Sequence, residues 1–163
     1  MRDEMRRVFF LAAGAVLTAG TAAFSTPAAA KTPGKTYCYN KVCHRVKTLP
    51  EMEGLIGHEE VVVASYYDDC RVDKNNPCTA LSSGEEHRPD LPDNAASPIY
   101  PNGTILVLVN PENEAQVLVR VNNSGPYRKG RMLDVSRAAA EQLGFIKKGV
   151  ASLKVTVISG PLR

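Results

Sequence analysis

The chain has 163 residues, 44% apolar and 23% charged, which suits one folded domain and is short for two of ordinary size. That composition excludes a disordered or low-complexity chain. Lys and Arg number 20 against 17 Asp and Glu, and a net charge of +3 is too weak to argue for a nucleic-acid partner without a clustered basic face.

Arg2, Arg6 and Arg7 precede an uncharged run over 8–24, and Ala28-Ala-Ala30 supplies small residues for a cut before Lys31. This layout reads as a cleaved secretory signal over 1–30. The run is at the short limit for a bilayer span and is diluted by Gly14, Thr18, Gly20 and Thr21, so no membrane anchor is expected after cleavage. Cys38 lies eight residues past Ala30, too far from the cut to take a lipid, and a soluble secreted or periplasmic protein is expected. In that oxidising setting Cys38, Cys43, Cys70 and Cys78 pair as two disulfides. Of the three connectivities, Cys38–Cys43 with Cys70–Cys78 is favoured, because each pair brackets turn formers: Asn40 in the first, Asn75, Asn76 and Pro77 in the second. Intervals of four and seven residues are not zinc-knuckle spacing, even with His44 nearby, so neither a metal nor another cofactor is expected.

Residues 31–57 form an N-terminal extension that carries Cys38 and Cys43. Within it Thr48-Leu-Pro-Glu51 predicts a helix start, with Thr48 as cap, Glu51 reaching back and Gly57 as the stop. The spacing predicts strands over 61–67, 104–110, 115–122 and 150–158, and a helix over 136–143 capped by Ser136 or Asp134 and stopped by Gly144. Val117, Val119 and Val121 alternate toward a core, and Val150, Leu153, Val155 and Val157 are core candidates in the last strand. Residues 68–101 are a long polar stretch with five Pro, too long for an idle connection and therefore a candidate functional loop.

Three segments in order then resemble one family. They are Ala64-Ser-Tyr-Tyr67; Ala95-Ala-Ser97 with Pro101-Asn-Gly-Thr104; and Val121-Asn-Asn-Ser-Gly-Pro-Tyr127 with Arg131-Met-Leu-Asp-Val-Ser136, Ala138-Ala-Ala140 and Leu143-Gly144. Together they are similar to the rare lipoprotein A (RlpA) family of endolytic peptidoglycan transglycosylases and, more distantly, to expansins, which loosen wall polysaccharides without hydrolysis. The resemblance implies a mainly β fold, a six-stranded double-psi β-barrel with one or two short helices over 58–163. It implies peptidoglycan glycan strands as the partner and lytic transglycosylation as the activity.

The family's Asn-Asp-Arg-Gly-Pro motif has Asn123 at its Asp, and its Ala-Ala-His has Ser97 at its His. Glu85, in Gly84-Glu85 after Thr79-Ala80, matches the third family acid. An amide or a hydroxyl cannot exchange the proton that glycosidic cleavage needs. Candidate catalytic residues are therefore Glu85, with His87 or Asp134 filling in; Asp134 matches an Asp that expansins require, though two residues before a helix it is also placed to cap it. Candidate substrate-binding residues are Ser65, Tyr67, Ser97, Asn122, Asn123 and Tyr127, through amides, hydroxyls and aromatic faces. The alternative is a non-catalytic glycan-binding or wall-loosening module. A weaker one is a barrel reused to bind protein through 31–57.

Overall fold

The computed structural model describes residues 30–73 and 80–161; all but the last residue of the expected signal segment 1–30, and the Cys78 half of the second expected disulfide, lie outside the described residues. In chain order come β1 (Thr36–Tyr39), β2 (Val42–Arg45), α1 (Leu49–Glu53), β3 (Glu59–Tyr67), β4 (Asn94–Ala96), β5 (Ile105–Val109), β6 (Gln116–Asn123), β7 (Leu133–Ser136), α2 (Arg137–Gln142) and β8 (Val150–Ser159). Six strands close into a barrel in the order β3-β7-β4-β6-β5-β8, the mainly β class that the sequence implies. β3 with β7 and β4 with β6 run parallel, and the remaining neighbours run antiparallel.

Alternation makes the core. Val117, Val119 and Val121 of β6 point inward against Leu106 and Leu108 of β5 and Leu153, Val155 and Val157 of β8. Val150, an expected core residue, is instead 37% exposed, because it pairs with Ser65 at the end of the β3–β8 ladder, next to the groove described below. Ser136 alone caps α2, accepting from the Ala139 N–H, which leaves Asp134 free of the capping role. Gly144 follows α2 at φ 76°, and a Cβ there would meet Asn113 Nδ2 at 2.4 Å, so the helix stops where expected.

The structure adds four strands that the sequence does not announce. β4 and β7 are three and four residues long and built largely of Asn, Asp, Ser and Ala, which have weak strand propensity. They are strands because β3 and β6 offer them open edges inside a closing barrel. β1 and β2 form a hairpin in the extension, with Asn40 and Lys41 at φ 49° and 64° in its two-residue turn and Cys38 bonded to the directly opposite Cys43. Cys70 is also disulfide-bonded.

The extension is seated on the barrel. Thr48 and Glu51 complete the capping box of α1, and the Arg45 guanidinium grips the Glu51 carboxylate at 3.0 and 2.5 Å, tying β2 to the helix. α1 ends at Glu53 with Gly54 as its cap; Gly57, the expected stop, lies beyond it at φ 78° and donates to Val157 O, turning the chain into β3. Lys31 is 5% exposed, and its ammonium donates to the carbonyls of Ser97, Tyr100 (2.7 Å) and Asn123 (2.9 Å).

Candidate functional site

An open groove of about 1220 Å³ crosses one end of the barrel. Its floor is a row set by strand register. Ser65 on β3 pairs with Asp134 on β7, Asp134 with Ala96 on β4, and Ala96 with Asn123 on β6. All four line the groove. A register shift between Ala95 and Ala96 sets Ala96 opposite Asn123, where an unbroken ladder from Ala95–Val121 would bring Asn122. Ala96 carries only a methyl group, so the middle of the row stays open.

Asp134 is the one acid of this row. Burial pushes its carboxyl up to about 6, against the opposing pull of the Ser65 hydroxyl, which donates to Oδ1, and of Arg131 and Arg128. A carboxyl near 6 holds a proton in mildly acidic solution and yields it at neutrality, the behaviour required of a general acid or base. Asn123 Oδ1 accepts from the N–H groups of Ser82 (3.0 Å) and Ser124 (2.9 Å), which fixes the amide and turns Nδ2 toward the groove as a donor. An Asp at this position would accept the same two bonds but would offer an acceptor there instead.

The other expected site residues divide. Tyr67 lines the groove, but it is 7% exposed, its hydroxyl donates to Asn94 Oδ1 at 3.1 Å, and the His87 ring stacks on it at 4.3 Å. His87 thus covers a Tyr67 face and does not line the groove; burial pulls its pKa below the ordinary histidine value. Tyr127 lines the groove half-buried. Ser97 does not line it: fully buried, its hydroxyl donates to Met132 O and accepts from the N–H groups of Ile99 and Tyr100.

Glu85 and Asn122 form a separate cluster. Arg120 and Asn122 stand two apart on β6 and share a face, opposite to that of Asn123. The Arg120 guanidinium donates to both Glu85 oxygens at 2.7 and 2.8 Å, and Asn122 Nδ2 adds a third bond at 3.0 Å. The Arg120 bonds are the largest cause holding the Glu85 carboxyl at about 2, so it stays ionised and can accept a proton but has none to donate. Neither Glu85 nor Asn122 lines the groove.

Sequence reasoning missed Tyr39, Asn40, Arg128, Lys129 and Arg131, which also line it. For Tyr39 a signal existed: an aromatic residue beside a turn inside a five-residue disulfide interval has little chance of burial.

Comparison with known proteins bears on this geometry. The endolytic peptidoglycan transglycosylase RlpA of Pasteurella multocida is 32% identical over 122 residues, covering 75% of this chain and 38% of that protein. The Neisseria meningitidis serogroup A protein of the same name is 41% identical over 64 residues, covering 39% of this chain and 27% of its own. The chain thus spans well under half the length of these relatives. Among solved structures, the Streptomyces papain inhibitor superposes with a TM-score of 0.50 at 18% identity, over 63% of this chain and 96% of its own, a likeness of fold alone. The family model described as "Lytic transglycolase" matches residues 59–155, the whole span from the start of β3 into β8, and the chain therefore belongs to the lytic transglycolase family, built on a double-psi β-barrel.

Proposed function

We propose that the groove binds a glycan strand of peptidoglycan and that Asp134 carries the proton transfers of lytic transglycosylation, in a protein exported by its N-terminal signal. The observation that carries this reading is the desolvated Asp134 carboxyl at the middle of the groove floor, donated to by Ser65 and titrating near 6. One such carboxyl suffices for the balance of the reaction. It gives its proton to the glycosidic oxygen as the C1–O bond breaks. The carboxylate left behind takes the proton of the sugar's own C6 hydroxyl as that oxygen closes on C1, yielding an anhydro end and restoring the acid. Asn123 Nδ2 and Ser65 then serve as hydrogen-bonding groups for sugar hydroxyls, and Arg128 and Arg131, which oppose the rise in the Asp134 pKa, limit how far it climbs.

The test is mass spectrometry of soluble products after incubation with purified peptidoglycan. Anhydro-ended fragments from the wild type at pH 5.5–6.5, absent with Asp134→Asn, are expected. Fragments undiminished in Asp134→Asn would overturn the assignment of the proton transfers to Asp134.

A second reading is a binding module without chemistry. It is favoured by one specific observation: Asn123 and the buried Ser97 leave the groove floor without the Asp and His side chains of the family pattern. Under it the protein pellets with insoluble peptidoglycan, releases no new chain ends, and loses retention in Asn123→Ala.

A further inference from the structure

The family match begins at residue 59, yet part of the groove wall comes from before it. Tyr39 and Asn40, at the tip of the β1–β2 hairpin, line the same groove as Ser65, Asn123 and Asp134. Tyr39 is 63% exposed, held at the surface by the short disulfide-closed hairpin. Its ring centre lies 6.0 Å from that of Tyr127 at 53°, and His44 of β2 flanks Tyr127 from 6.3 Å. Two tilted tyrosine faces meeting on a groove wall make an aromatic corner.

The corner is held rather than flexible. The disulfide joins directly opposed residues, one of which neighbours Tyr39 in sequence. Arg45 ties the base of the hairpin to Glu51 of α1, Lys47 N–H donates to Ile99 O at 2.8 Å, and Lys31 anchors the start of the extension in the barrel. A platform fixed in advance loses little freedom when a ligand settles on it.

We propose that the stapled hairpin is an added saccharide subsite, in which the rings of Tyr39 and Tyr127 stack on the apolar face of one sugar beyond the central row and Asn40 hydrogen-bonds its hydroxyls. The inference rests on reading the groove as a glycan site, and it deepens that reading: the preferred ligand is a strand long enough to reach from Asp134 to the hairpin. Sugars present C–H faces that aromatic rings cover, and Tyr pairs such a face with a polar edge. The disulfide serves here to hold the two residues of the hairpin tip that line the groove.

Titration calorimetry with peptidoglycan glycan oligomers stripped of stem peptides, in a short and a long size, tests the subsite. Wild-type affinity should rise with length, and Tyr39→Ala should lose that rise, about tenfold on the long oligomer with the short one unchanged. Tyr39→Phe keeps the rise, and reduction of Cys38–Cys43 diminishes it. Because Tyr39 is exposed, its truncation leaves the barrel core intact, and thermal melts of the variant should overlay the wild type. Equal affinities of wild type and Tyr39→Ala at both lengths overturn the subsite while the central groove stands. No binding of either oligomer by the wild type overturns the glycan reading itself, and the subsite with it.

Discussion

Asp134 shows how one side chain can be costly to the fold and useful to the site. Its folded carboxyl holds a proton up to about 6, whereas an unfolded Asp releases it near 4. Between those values the folded chain binds more protons than the unfolded one, so stability falls as pH rises. Below about pH 4 the penalty is absent, and above about pH 6 it is complete, on the order of 2–3 kcal/mol. Asp134→Asn keeps an oxygen for the Ser65 hydroxyl and removes the charge. We expect it to melt several degrees above wild type at pH 7.5 and to match it near pH 4; a lower melting temperature at pH 7.5 would falsify this account of the site. Glu85 presents the opposite case, a carboxylate kept ionised by a two-pronged Arg120. Glu85→Gln exposes Arg120 to an unmatched partner, and the expected result is a loss of about 1 kcal/mol in urea unfolding, moderated because both side chains are over 40% exposed.

At the scale of elements, the site depends on two pieces that carry little secondary-structure signal. β4 is three residues, and its register shift selects Asn123 over Asn122 for the floor. Motif reading alone treats the two amides as equivalent; the shift sends one to the groove and leaves the other on Glu85. The second piece is the segment before β1. Lys31 closes three carbonyls, of Ser97 and Tyr100 in the loop after β4 and of Asn123 at the end of β6, so the extension pins the two strand ends that shape the floor. Lys31→Met leaves the Ser97 and Tyr100 carbonyls without their donor, while Asn123 O keeps the N–H of Ser97. The expected cost is about 2–4 kcal/mol, read as a lower midpoint in chemical denaturation with an unchanged slope. A midpoint equal to wild type would mean that the extension does not hold the barrel end.

For the molecule as a whole, closure of β3-β7-β4-β6-β5-β8 is what makes a site out of scattered residues. The core beneath it is shared by all six barrel strands, so Leu108→Ala, at a fully buried position of β5, should cost about 2–5 kcal/mol and lower glycan affinity only through the fraction unfolded. Binding measured well below the melting temperature and corrected for that fraction should equal wild type. Runs of β-branched, aromatic and aliphatic residues made β3, β5 and β8 legible to within about two residues, and the two-residue alternation of Val117, Val119 and Val121 did so for β6, since both are local properties of the chain. The Thr48–Glu51 box and the Ser136 cap were legible for the same reason: each is satisfied within three residues. The short-range Cys38–Cys43 bridge also followed from local spacing. Asp134 beside Ser65, 69 residues away, did not follow, nor did Glu85 on Arg120, the turning away of Ser97, or Tyr39 against Tyr127. The amino-acid sequence by itself determined the four longer strands, the caps and the family resemblance. Only the tertiary structure decided which polar side chains face the groove, because that depends on the register between strands distant in sequence, and a shift of one residue sends a side chain to the opposite face.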